Sequence, residues 1–141
     1  MKYLVDTNLF SELLKPAPDA LVKDWLEKHE WECGVSAITV AELRYGVDRL
    51  PAGKRRNQLD REVQFVLDRF IEQVIPFDNT EAYEWGRYGA EVEAKLGKGW
   101  IQQLDLRDTQ IAATARAHGM TVVTRNVIDF PEVKTLNPFL K

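Results

Sequence analysis

Apolar runs that fail to alternate with polar residues constrain this chain more than any other feature. Tyr3-Leu4-Val5, Val74-Ile75-Pro76-Phe77 and Thr121-Val122-Val123-Thr124 lack the period of two that marks a half-solvated sheet. The last is β-branched throughout. Continuous runs of this kind suit strands covered on both faces of a parallel sheet. Cys33-Gly34-Val35 is a weaker fourth candidate.

Helical patterns fill the intervals. Asn8 to Lys15 is stopped by Pro16 and Pro18. Asp19 caps a helix over Ala20 to Lys28, and Ser36 caps one from Ala37 to about Leu50. Leu59, Val63, Val66 and Phe70 share one face of the next helix. Thr80 opens another, bearing Trp85, Gly89, Val92 and Leu96 on one side. The last begins near Asp105 to Asp108 and stops at His118-Gly119. The stretch from Ala37 to about Gln73 reads as a helical hairpin turning at Pro51-Ala52-Gly53. Strands separated by helices define an α/β fold with a mostly parallel sheet. The 141 residues suit one domain spanning 1–141.

Composition narrows the chemistry. A lone cysteine, Cys33, leaves no internal disulfide framework and no Cys-rich zinc module, and two histidines, His29 and His118, leave little for a His-based metal site. The 22 acidic and 19 basic residues give a net charge of −3, which argues against coating nucleic acid by bulk charge. No run approaches the ~18 apolar residues of a membrane span. Asp6 interrupts the start of the chain before a secretory hydrophobic region develops. The expectation is a soluble, cytoplasmic domain.

Ligands of open parallel sheets bind beyond the carboxyl ends of the strands. The first strand delivers Asp6, Thr7 and Asn8 there; the last delivers Arg125, Asn126 and Asp129. The preceding helix carries Asp105 and Asp108 at its N-terminal end, which points to the same edge. Singly, each has an ordinary reading: a turn former or cap, a partner of the helix dipole, a turn residue. Their convergence favours a site. Glu42 lies on an otherwise largely apolar helix, as a solvated edge residue or as an inward carboxylate that needs a cation. An all-oxygen donor set suits Mg²⁺ or Mn²⁺ over zinc. Such an ion relieves the repulsion among carboxylates and activates water, which points to phosphodiester hydrolysis.

Four stretches then carry a resemblance. They are Leu4-Val5-Asp6-Thr7-Asn8, the segment Ser36 to Gly46 around Glu42, Asp108-Thr109-Gln110-Ile111-Ala112-Ala113-Thr114-Ala115, and Thr124 to Phe130; Leu136-Asn137-Pro138 follows. In order and spacing the chain resembles PIN-domain ribonucleases, specifically VapC-type toxins of VapBC toxin–antitoxin pairs. The resemblance implies a PIN-like three-layer α/β/α fold with a protruding helical hairpin. It implies Asp6, Glu42 and Asp108 as catalytic metal ligands, with Asp129 as the fourth acidic member and Asn126 in support. Thr7, Asn8 and Thr124 then hydrogen-bond around those carboxylates. The activity implied is a Mg²⁺- or Mn²⁺-dependent endoribonuclease toxin, with transfer RNA a plausible substrate, that inhibits translation and growth. A VapB-type antitoxin would neutralise it, its tail lying across an apolar groove of Leu9, Leu13, Leu14, Leu43 and Val47. Homodimers and toxin–antitoxin hetero-oligomers are implied, and the chain carries no DNA-reading motif of its own.

RNA approaching an acidic pocket needs flanking cations. Between Arg44 and Arg69 there are seven basic residues against four acidic ones. Arg44 and the Lys54-Arg55-Arg56 trio are candidates for phosphate contact, or a solvated turn. Trp100, in a loop from Gly97, is a candidate for base stacking. Two rival readings are a catalytically silent PIN-like RNA-binding module and a metal-dependent aspartyl phosphatase. The second wants another Asp two residues after Asp6, where Asn8 stands. Setting aside the four proposed ligands leaves the rest of the chain at +1, so the acidity marks a site more than a repulsive surface.

Overall fold

In the computed structural model, which describes residues 1–140, five parallel strands form a sheet ordered β3-β2-β1-β4-β5. The strands are β1 (Tyr3–Val5), β2 (Cys33–Ser36), β3 (Val74–Ile75), β4 (Thr121–Val123) and β5 (Thr135–Leu136). Seven helices connect them among the described residues. These are α1 (Thr7–Leu13), α2 (Ala20–His29), α3 (Ala37–Asp48), α4 (Lys54–Arg69), α5 (Asn79–Leu96), α6 (Lys98–Gln103) and α7 (Leu106–Ala117).

The absence of alternation in the strands follows from a helical layer on each face. Val5, Cys33, Val35 and Val123 point to one layer, where Leu9, Phe10, Leu43, Val47, Val63 and Phe70 pack. Leu4, Ile75 and Val122 point to the other, against Tyr88, Val92, Ile111 and Ala115. Helices α1–α4 therefore cover one face, and α5 and α7 the other. The chain moves outward from β1 through β2 to β3, then returns through α5–α7 to add β4 on the other side of β1. That reversal opens a crevice between the carboxyl ends of β1 and β4, the usual ligand position in such sheets.

Local signals set the boundaries. Asp19 accepts hydrogen bonds from the N–H groups of Leu21 and Val22, and Ser36 accepts one from Ile38, so both act as caps. Gly119 ends α7 with φ of +64°, a left-handed conformation that costs glycine nothing. The α3–α4 hairpin has an exposed tip, while its stems pack on the sheet.

Two expectations change and one strand is added. The segment after Gly97 is helix α6, not a loop, because Gly97 at φ +96° turns the chain directly into a new helical start. β5 escapes the sequence reading because two residues leave no periodicity to detect. Leu9, Leu43 and Val47 line no groove: α4 folds back over α3, and these side chains are buried in the core. Leu13 and Leu14 instead open onto a cleft of about 700 Å³ between the α1–α2 turn and α4, with Leu26, Phe65 and Val66.

Candidate active site

Asp6 sits at the crevice, buried at the end of β1 and capping α1. Its Oδ1 accepts the Thr7 N–H at 2.7 Å and its Oδ2 accepts the Thr124 hydroxyl at 2.8 Å. Thr124 is fully buried just past β4, so this one bond locks the two central strands together at the site. The same hydroxyl oxygen accepts the Asn8 side-chain amide at 3.2 Å and the Asn126 N–H at 3.1 Å. Thr7 reaches in the other direction. Its hydroxyl donates to Glu42 Oε1 at 2.8 Å, with the Thr39 hydroxyl 3.3 Å away. Glu42 is thereby turned inward from α3, half-buried.

Asp108 lies in the first turn of α7, half-buried, and Asp129 lies in a short 3₁₀ turn, Val127–Asp129. Burial, opposed in part by the Thr124 and Thr7 hydrogen bonds and reinforced by the charges of Glu42 and Asp129, pushes the Asp6 carboxyl up to about 6. Burial, with the charges of Asp6, Asp105, Asp129 and Glu42, pushes Asp108 up to about 7. Each thus feels the other acids through a partly desolvated space. Asp129 contributes to both fields, whereas Asn126 is exposed and touches the network through its backbone.

The donor set fits a hard divalent cation: four carboxylates, no thiol, no imidazole. Among the described residues, no three or more His, Cys, Asp or Glu side chains already stand at metal-holding separation. That spacing accords with carboxylates repelling one another and with Glu42 held on Thr7. The histidines lie elsewhere: His118 Nε2 pairs with Glu81 at 2.7 Å, and His29 packs on Trp25.

The basic candidates are more scattered. Arg44 grips Asp48 and Asp60, tying α3 to α4, and Arg56 also reaches Asp48. Lys54 and Arg55 are exposed in the first turn of α4, beyond the far end of α3. Trp100 is partly exposed on α6. The sequence reading passed over Arg107, whose Nε stands 3.8 Å from Glu42 Oε2. Its signal was a cation inside an acidic motif, between Asp105 and Asp108. Thr39, buried beside Thr7, was also missed, since a threonine on a helix declares no partner in advance.

A five-stranded parallel sheet carrying this acidic edge between its central strands defines the class, and comparison confirms it. Residues 3–136 match the PIN domain, and the chain belongs to that family. Among its relatives, toxin FitB of Neisseria gonorrhoeae is 39% identical over 142 residues, covering 96% of this chain and 97% of that protein. VapC ribonuclease Y4jK of Sinorhizobium fredii is 39% identical over 135 residues, covering 90% and 89%. The crystal structure of FitAcB from Neisseria gonorrhoeae superposes with a TM-score of 0.84 at 37% identity, covering 99% of each chain. Other solved structures of this fold are VapBC assemblies, some bound to DNA.

Proposed function

We propose that this chain is a Mg²⁺- or Mn²⁺-dependent endoribonuclease toxin that cuts RNA phosphodiesters and is silenced by a VapB-type antitoxin. The observation that supports the reading most is that Asp6 and Asp108, at the edge of the β1–β4 crevice, feel each other and the charges of Glu42 and Asp129, and are both held well above the usual carboxylate range. These four residues would hold the cation. When bound, it supplies positive charge to the phosphoryl oxygens and lowers the pKa of a water. Thr7 and Thr124 hold Glu42 and Asp6 at the crevice by hydrogen bonds to their carboxylates. With both histidines engaged elsewhere, proton removal from the attacking water falls to the carboxylates. Transfer RNA is the substrate class to test first, and its cleavage would arrest translation and growth.

Leu13, Leu14, Leu26, Phe65 and Val66 offer the antitoxin an apolar cleft, with both basic (Lys15, Lys23, Arg61, Arg69) and acidic (Glu27, Glu62) residues at its rim. Homodimers and hetero-oligomers with the antitoxin are part of the same proposal, with DNA contacts left to the antitoxin. The phosphatase reading loses ground because the Asn8 side chain is held on Thr124 and presents no carboxylate. A silent RNA-binding module is separated by experiment. Purified protein should cleave RNA with Mg²⁺ or Mn²⁺ and stop with a chelator, and Asp6→Asn should lower the rate at least about 100-fold. Equal cleavage by wild type and variant would overturn the mechanism, and binding without cleavage would favour the silent module.

A further inference from the structure

We infer that Arg107 is the cation through which this site grips a phosphate of its RNA. The inference rests on the ribonuclease reading above and adds a residue to it. Four observations carry it. First, Arg107 is the one basic side chain within 4.0 Å of any of the four carboxylates, among the described residues. Second, it is held in place. Asp105, the cap of α7, accepts the Arg107 backbone N–H at 2.8 Å and receives Nε and Nη2 side-on at 3.3 Å each. Third, the guanidinium keeps unused capacity. Asp105 takes two of its five N–H donors, Nη1 has no hydrogen-bond partner among the described residues, and the side chain is 51% exposed. Fourth, the 3.8 Å separation from Glu42 is too long for a hydrogen bond, while Glu42 Oε1 has its own donor in Thr7. A phosphate can therefore approach Arg107 without leaving Glu42 unpaired.

Charge makes such a group necessary. A polyanion must approach four carboxylates, and no other cation stands within salt-bridge distance of them among the described residues. Arg44 and Arg56 pair with Asp48, and Arg125, at the other side of the crevice, lies over the Phe139 ring. A fork anchored on one side by Asp105 and open on the other suits bidentate contact with phosphate oxygens, its ordering already achieved before RNA arrives.

The test measures binding apart from cleavage. In an Asp6→Asn background, with chelator present, a fluorescein-labelled single-stranded RNA of mixed sequence is titrated by anisotropy at several KCl concentrations. Arg107→Ala should weaken binding about tenfold and flatten the log K against log [KCl] slope by about 0.7, the loss of one phosphate contact on a single strand. Arg107→Lys should keep the slope and lose part of the affinity. Arg87→Ala, which removes an arginine stacked on Tyr83 beside the far end of α7, should leave both unchanged. In the wild-type background with Mn²⁺, Arg107→Ala should raise KM with kcat retained. An Arg107→Ala protein with the parent's slope and KM overturns the inference while leaving the ribonuclease reading standing. A weaker affinity with an unchanged slope and a lowered Tm also overturns it, since that is the signature of a loosened α7 cap. Absence of both RNA binding by the parent and cleavage by wild type overturns the ribonuclease reading, and this inference with it.

Discussion

Asp6 commits both carboxylate oxygens to the fold, one to the Thr7 N–H and one to the buried Thr124 hydroxyl, so the site's first acid is also a structural joint. Thr124→Val should therefore do more than trim a side chain. It strips Asp6 Oδ2 of its donor and should lower unfolding free energy by about 1–3 kcal/mol, measured by urea denaturation. The raised carboxyls have a second consequence. In the folded, metal-free protein Asp6 and Asp108 keep their protons to about 6 and about 7, whereas an unfolded aspartate releases its proton near ~3.9. The native state thus binds more protons across this interval, and stability must fall as pH rises through it. Glu12 and Glu81, held below the ordinary glutamate range, act in the opposite sense only at more acidic pH. Thermal melts in chelator between about pH 5 and 8 should show Tm declining, with the decline flattened by Asp108→Asn and by added Mn²⁺. A Tm that rises over that range would contradict the assignment.

At the scale of elements, α5 and α7 are clamped by side chains far apart in sequence. Glu81 accepts the Asp78 N–H at 2.8 Å at the start of α5, and its other oxygen meets His118 at the end of α7. Burial would raise the Glu81 carboxyl, but these partners outweigh it and hold it low. Glu81→Ala breaks cap and clamp together and should cost about 1–2 kcal/mol in urea unfolding, with Glu81→Gln costing less. Arg116 adds a second tie through Glu84, at 3.0 Å, and Glu91. The clamps to His118 and Arg116 were not legible beforehand. The caps Asp19 and Ser36 were, because a cap and its N–H partners lie within three residues. A clamp joining residues 37 apart, like the turn-holding contact of buried Glu12 with the Asp19 N–H at 2.9 Å, depends on packing that periodicity does not encode. The site divides the same way. Its acids could be read because strand ends announce themselves, whereas the roles of Arg44 and Arg107 depend on which neighbour each side chain meets.

For the molecule as a whole, the acidic crevice and the apolar cleft meet different ends of α1, the first gathering Thr7 and Asn8 with residues of α3, α7 and the segment after β4, the second Leu13 with residues of α2 and α4. Binding to an antitoxin and cutting of RNA should therefore separate by mutation. Phe65 is 69% exposed, so Phe65→Asp should fold normally, retain RNA cleavage and fail to co-purify with the antitoxin. Loss of cleavage with complex formation intact would show that the cleft had been misassigned. The joint between Asp6 and Thr124 spans 118 residues, and it also orders events in time. As a ribosome extrudes the chain, Asp6 emerges first and waits, lacking both its hydroxyl partner and Asp129, until β4 slides in beside β1. The proposed nuclease thus stays unarmed until β4 and the turn carrying Asp129 have been made and have closed on β1.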